Sequence, residues 1–352
     1  MAFSLKKAPF FIRLFHWEYW PFAVVYGPIL PFYFWYALRA RSFFFFSTSN
    51  PFIKNAGFLM ESKFEIDKIV PLQYRPASLY FEPSSDLCII QEQIKKQQFS
   101  YPLIIKPDIG GKGVGVKKVN TETQLNDTIK KTPVPFIIQP YIAYPNEIGL
   151  FFVKIPGEDK GRITGIVRKE FLKITGDGVS TILELLQKKG RYILQIPALK
   201  KTLLNDIYRI IPAGDTEILV PYGNHARGSL FLDDSHLISP KLEASFNKIC
   251  TAINGFYYGR MDIKYNTMQE LEEGKNFSII ELNGAGSEPT HIYDPKHSIF
   301  FAWKEIIRHW KFLWKISVKN KTSYKLSFMS RKEGMQMFAD LKAYNKKCEN
   351  AF

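Results

Sequence analysis

Between residues 61 and 297 the chain alternates short apolar runs with helix-forming stretches, and this alternation does most to limit the folds open to it. The runs "YPLIIK", "PFIIQPYI", "IGLFFVKI" and "NFSIIEL" read as strands, and "TILELLQKK" and "SPKLEASFNKICTAI" as helices. Such interleaving predicts an α+β domain built on mixed sheets. With 46% hydrophobic and 23% charged residues, the chain has the balance of a folded protein with a real core.

The two ends differ from this middle. Tyr19 to Leu38 contains no charged residue, and Arg13, His16, Arg39 and Arg41 border it. Its length approaches a membrane span, yet Pro21, Gly27, Pro28 and Pro31 break the helix that a span requires. Residues 1–60 are therefore expected to form an aromatic segment lying in a membrane interface, where Trp and Tyr are favoured, the competing account being an aromatic segment packed on the protein's own core. Near the other end, Phe300, Trp303, Ile307, Trp310 and Trp314 recur at helical spacing, with Lys304, Arg308, Lys311 and Lys315 on a neighbouring arc. Residues 298–352 thus read as an amphipathic basic helical tail, suited either to an anionic membrane surface or to packing on the protein's own core with a solvated basic edge.

Lys+Arg 48 against Asp+Glu 33 gives +15, a charge that asks for an anionic partner. No RNP-like strand, zinc finger or helix-turn-helix pattern accompanies it, so no nucleic acid is expected and lipid headgroups or phosphates remain. Cys88, Cys250 and Cys348 are far apart and odd in number, which argues against a disulfide framework and for a reducing cytoplasm. The expected location is cytoplasmic, peripheral or monotopic on the inner face of the plasma membrane.

The chemistry is expected in the middle. The strand ending in Lys106 runs into a loop with Gly110, Gly111, Gly113 and Gly115, which allows backbone amides to close on phosphate oxygens while the lysine supplies a point charge. The pattern is neither GxxxxGKS nor GxGxxG, so Walker and Rossmann sites are excluded. The next strand carries Gln139, Tyr141 and Ile142, whose backbone can meet an adenine edge, and Glu147, placed to accept ribose hydroxyls. Farther on, Asp262 lies on one strand, and Glu281 and Asn283 lie two apart on another and so share a face. Two carboxylates and an amide oxygen are hard ligands suited to magnesium. Arg260 shares the face of Asp262 and is positioned to brace a transferring phosphate. The competing account makes these ordinary strand-end acids.

In this combination the residues resemble the ATP-grasp superfamily over roughly residues 61–297. The resemblance implies two α+β subdomains gripping ATP, Mg2+ (or Mn2+) as the metal, and a carboxylate–amine ligase working through an acyl-phosphate. It makes Lys63 a candidate for the family's first ATP-contacting lysine. "TGIVRKEFLKITGDGVSTILELL" and "IPAGDTEILVPYGNHARGSLFLDD" are similar to the cores of cyanophycin synthetase and the bifunctional glutathione synthetases. That similarity implies catalytic roles for Arg168 and Arg227 beside Arg260. It places Asn224 and Gly228 at the acceptor substrate, with His225 in the same loop. "ELNGAGSEPTH" resembles the D-alanine-D-alanine ligases, which implies a substrate-carboxylate turn at Gly286 and Ser287. Those ligases begin with a Rossmann-like domain where this chain has its aromatic segment. The rival functions are D-alanine-D-alanine ligase proper, a membrane-tethered ATP-binding module, and a kinase of the same fold.

Overall fold

The computed structural model describes residues 9–111, 113–220 and 228–349. These divide into two compact units: a larger one from the described residues of Pro31–Ile166, Ser235–Pro289 and Ile306–Phe352, and a smaller one from those of Met1–Leu30, Val167–Asp234 and Thr290–Glu305. The units do not break at residues 60 and 297. Parts of both aromatic ends belong to each unit.

The strands are β1 (Leu79–Phe81), β2 (Leu103–Pro107), β3 (Lys117–Val119), β4 (Phe136–Pro140), β5 (Asn146–Val153), β6 (Arg162–Glu170), β7 (Leu172–Thr175), β8 (Thr216–Val220), β9 (Leu230–Asp233), β10 (Tyr258–Tyr265) and β11 (Phe277–Asn283). The α+β class expected from the sequence is the one observed.

The larger unit holds two sheets. The first is antiparallel in the order β1-β4-β2-β3, with Ile105 opposite Ile138 and Lys106 opposite Ile137. Helices Leu87–Lys96 and Glu122–Lys130, capped by Asp86 and Thr121, lay Ile90, Ile94, Leu125 and Ile129 on Leu103, Ile105, Phe136 and Ile138. Side chains alternate along a strand, so Lys106 leaves the sheet on the face opposite to this core.

The second sheet runs β11-β10-β5-β6. One face carries Leu150, Phe152, Met261, Ile263 and Ile279, covered by Leu242, Phe246 and Ile249 of helix Pro240–Ala252, which Ser239 caps. On the other face, Phe151, Val153 and Tyr258 are covered by Tyr36, Phe44, Phe45, Phe46, Leu313 and Ile316. Part of residues 31–60, Tyr36, Ala37 and Phe44–Phe46 among it, is therefore a core layer. Tyr33 meets Trp310 at 5.4 Å and Tyr36 stacks on Trp314 at 5.7 Å between ring centres. Asn50 is buried, with its Oδ1 accepting from the Tyr257 and Tyr258 amides and its Nδ2 donating to the Tyr258 carbonyl.

Helix Ile299–Ser323 forms where its apolar period predicts, and one side of it is buried in the protein while Phe300 stays exposed. Ile306, His309, Leu313, Ile316, Ser317 and Asn320 are all buried. Arg308, expected to reach lipid phosphates, donates to the Thr164 carbonyl at 2.9 Å. Lys311 and Lys315 are exposed, so the reading with a core-packed helix and a solvated basic edge describes this segment. Among the described residues, no helix is long and apolar enough to cross a membrane.

The smaller unit pairs β7 with β8, and the last four residues of β6 with β9. Its core gathers Leu172, Ile174, Ile182, Leu186, Leu199, Ile207 and Ile211. The "GDG" turn is an Asx turn in which Asp177 accepts the Val179 and Ser180 amides. Thr181 and Glu184 then close a capping box on helix Ile182–Gln187. Trp17 and Trp303 tie the terminal pieces in, through Nε1 bonds to the His297 and Val25 carbonyls.

Candidate nucleotide site

The site lies in the larger unit and begins with a cap. Asp108, just past β2 and buried, accepts the Phe64 amide at 2.9 Å and the Ser62 hydroxyl at 3.0 Å, while Ser62 accepts the Glu65 amide. This fixes the start of helix Lys63–Ile69 and places Lys63 on its first turn. The Lys63 ammonium donates to the Gly110 carbonyl and lies 3.7 Å from Glu281. One lysine thus touches both the glycine loop and the candidate metal strand.

Lys106 reaches the same strand. It is 8% exposed and its ammonium donates to the Ile280 carbonyl at 3.0 Å. Burial pulls its pKa below the ordinary lysine value, and the charges of Glu281 and Asp67 oppose that fall. Lys63, Asp67, Lys106 and Glu281, with Ile66, Ile280 and Leu282, line a cavity of about 10 Å³. That is space for about one water. The charged centre is assembled but closed.

On β10 and β11, Asp262 stands directly opposite Glu281 and Arg260 directly opposite Asn283. All four project from one face, with cross-strand Cβ atoms roughly 5 Å apart in such pairs. Arg260 Nε donates to Asp262 at 2.9 Å, the two side chains being 18% and 7% exposed. The Asn283 amide nitrogen is buried with no hydrogen-bond partner. The unmet N–H donors call for an acceptor such as a phosphate oxygen, while the two opposed carboxylates and the Asn283 Oδ1 are the oxygens a hard cation would take. The set is no complete protein cage: among the described residues no three His, Cys, Asp or Glu gather at metal-binding distance.

The hinge is more occupied than the sequence suggests. The Gln139 side chain donates to Asp67 at 3.0 Å and to Ser78 at 2.7 Å, and so braces the wall behind Lys106. The Tyr141 amide is taken by the Pro102 carbonyl at 3.1 Å, which removes it as an adenine donor and leaves Ile142. The Tyr141 ring lies under the ammonium groups of Lys118, at 3.9 Å, and Lys264, at 5.3 Å. Glu147 is opposite Lys264 across β5 and β10. In the loop, Gly110 and Gly113 have φ of +117° and +68°, as a backbone curled toward an anion requires, and Gly111 faces open space. Tyr344 of helix Arg331–Glu349 donates to the Ile109 carbonyl at 2.8 Å and covers the loop's first turn.

Other expected residues are placed elsewhere. The Gly286 amide donates to the Gly57 carbonyl at 2.9 Å, and a Cβ on Gly286 would come within 2.3 Å of the Phe58 carbonyl oxygen. The Ser287 amide and hydroxyl both bond the Gly284 carbonyl. The turn expected to hold a substrate carboxylate is therefore filled by the chain's own residues 56–58. Arg168 belongs to the smaller unit, where it pairs with Asp234 at 2.7 Å and with Glu170. Gly228, also there, has φ of +96° and a missing Cβ that would strike Leu172 and Gln195, so packing accounts for the glycine. Asn224, His225 and Arg227 lie outside the described residues.

The sequence reading missed Glu61, Asp67, Asp108 and Tyr344. Glu61 is half-buried, its buried Oε2 lacks a hydrogen-bond partner, and desolvation raises its pKa against the pull of Lys63. A signal for two of these was present: "ESKFE" has the Ser-x-x-Glu spacing of a helix start, which directs attention to what caps and flanks Lys63.

No family model matches the chain, and no curated protein matches it. Solved structures do. The bifunctional glutathione synthetase from Pasteurella multocida is 16% identical, with 66% of this chain and 33% of that one covered and a TM-score of 0.38. The VanG D-Ala:D-Ser ligase from Enterococcus faecalis is 16% identical over 74% and 64% of the two chains, at 0.41. The D-alanine-D-alanine ligase from Bacillus anthracis is 15% identical over 75% and 67%, at 0.40. The chain spans one third of the first of these and just under two thirds of the second. The functional reading therefore rests on this chain's own strands and side chains.

Proposed function

We propose that the larger unit is an ATP-grasp ligase that joins a carboxylate to an amine through an acyl-phosphate. The observation that carries this is the meeting of the buried Lys106 with Glu281 and its cross-strand partner Asp262, beside a glycine loop held by Lys63. Lys63 and Lys106 share one small volume with Glu281 and Asp67, and where Glu281 turns to a metal the lysines are left for an anion. ATP meets that need, in a form that carries magnesium to the carboxylates.

In this reading Lys63 and Lys106 hold the phosphates, and the amides of Gly110, Gly111 and Gly113 close over them. Glu147 takes the ribose and the backbone at Ile142 meets the adenine edge. Asp262, Glu281 and Asn283 would hold magnesium, which supplies charge neutralisation at the transferring phosphoryl. A substrate carboxylate oxygen forms the new bond to the γ-phosphorus as the bridge to ADP breaks, and Arg260 steadies the charge. The amine then attacks the acyl carbon, phosphate leaves, and the amine proton passes to solvent.

The test is ADP release across an amino acid and dipeptide panel, with mass spectrometry for the amide. Asp262→Asn is expected to lower turnover by about 10²–10³-fold. A phosphorylated product without amide would make the protein a kinase, and unchanged turnover in the variant would end the metal assignment.

A membrane surface is the proposed site of action, by a smaller patch than residues 1–60. Phe34, Trp35, Leu38 and Phe43 are at least half exposed and stand beside Arg39 and Arg41. Exposed aromatics bordered by arginines suit an anionic interface. Flotation with phosphatidylglycerol vesicles, lost in Trp35→Glu/Leu38→Glu and absent with neutral vesicles, is the expected result; equal flotation of the variant would remove the proposal.

A further inference from the structure

The smaller unit contains a groove of about 580 Å³ that no role above uses, lined by Phe11, Ile12, Phe15, Tyr19 and Pro295, with Gly190, His16 and an ion pair. The pair is Glu18 and Arg191, 3.1 Å apart and only 7% and 15% exposed. Arg191 is held further by the Ser229 carbonyl and by the Tyr19 ring, 5.7 Å away. This stretch belongs to the aromatic segment expected at a membrane interface. Its inward side instead forms a concave wall.

Roughly 300–1,000 Å³, mostly apolar, with a few fixed polar groups, is the usual make-up of a small-molecule site. A buried ion pair contributes little net stability, because desolvation cancels most of its attraction. This pair also narrows the choice of ligand. A purely apolar occupant would cover what little of the two charges water still reaches and return no polar contact. An anion satisfies Arg191 and is repelled by Glu18, and a cation meets the reverse. A head with an ammonium and a carboxylate on neighbouring atoms matches both partners at once, head to tail.

We propose that this groove binds an α-amino acid with a large apolar side chain, its ammonium at Glu18, its carboxylate at Arg191 and its side chain among Phe11, Ile12 and Phe15. The inference stands apart from the ligase reading, because every residue it uses lies in the smaller unit.

Calorimetry on the full chain with phenylalanine and biphenylalanine tests it, without nucleotide, so that failure of the ligase reading leaves the outcome unaffected. Saturable binding with Kd below about 1 mM is expected. Phenethylamine, which lacks the carboxylate, and 3-phenylpropionate, which lacks the ammonium, should each bind at least about tenfold more weakly. Glu18→Gln should weaken the amino acids about tenfold and leave 3-phenylpropionate no weaker. Gly190→Ala keeps the fold, since its new Cβ would sit 3.6 Å from Ile12, an ordinary contact, and it should narrow the groove and weaken biphenylalanine more than phenylalanine. No saturable heat by about 10 mM overturns the proposal, as do equal binding of the two half-analogues or affinities that neither substitution changes.

Discussion

Two ionic centres in this protein solve the same electrostatic problem in opposite ways. In the smaller unit, Arg168 pairs with Asp234 and Glu170, and Arg209 is forked onto Asp206 and Glu217, so each cation has two carboxylates. These side chains are 36–47% exposed apart from Asp234, and such pairs are cheap to form and worth little. In the larger unit, Lys106 is buried with a backbone carbonyl as its hydrogen-bond partner, and nearby Glu61 has an unpartnered oxygen. Burial moves Lys106 down and Glu61 and Asp67 up, each toward its neutral form. A fold keeps an under-satisfied buried centre when something other than stability requires it. The contrast marks the second centre as the one built for a ligand.

The sharpest way to break that contrast is Lys106→Met. It keeps the side chain's length, removes the buried charge, and spares the neighbours a cavity. ADP release is expected to fall about 10³-fold, the loss associated with one preorganised charge at a phosphoryl centre. Thermal stability should change little, because the desolvation that the charge no longer costs is offset by the support that Asp67 and Glu281 lose. A large drop in melting temperature would mean that Lys106 is structural glue, and the two centres would then differ in burial alone.

The parts of this arrangement that were legible in the sequence are those set by local periodicity. Strand alternation put Lys106 on the face away from the helix layer, and the two-residue step put Glu281 and Asn283 on one side. The helices expected at "TILELLQKK" and "SPKLEASFNKICTAI" form at Ile182–Gln187 and Pro240–Ala252 for the same reason. What was not legible depends on who covers a face. The apolar stretch before Leu38 looks the same whether lipid or protein lies against it, and only tertiary contacts show that Tyr36 and Phe44–Phe46 are core while Phe34, Trp35 and Leu38 are bare. The turn at Gly286 and Ser287 matched a ligand-binding pattern, yet the Gly286 amide is met by Gly57, more than two hundred positions earlier in the chain, and the Ser287 amide by the turn's own Gly284. A motif states which groups are offered and leaves open which neighbour accepts them.

The smallest effect expected sharpens the contrast most finely, because it reads one oxygen. Glu61 lies near Lys63 and Glu281, with Asp67 and Lys106 around the adjoining cavity, and its pKa is raised above the ordinary value of 4.5, chiefly by burial. A carboxyl with a raised folded-state pKa holds its proton more tightly folded than unfolded. Ionising it therefore costs stability once the pH is above the folded pKa, and the cost disappears as pH falls toward 4.5. Glu61→Gln removes that cost, so the variant should be more stable than the natural protein at neutral pH by about 1 kcal/mol, or roughly 2–4 °C in melting temperature. The gap should close on acidification toward pH 4.5, since protonation then gives the natural protein the same neutral group. Asp67 titrates in the same direction in both proteins, so the difference between the two melting curves isolates residue 61. A variant less stable at neutral pH would show that the Glu61 charge is needed to hold Lys63, and the centre would then be as well matched as the arginine pairs.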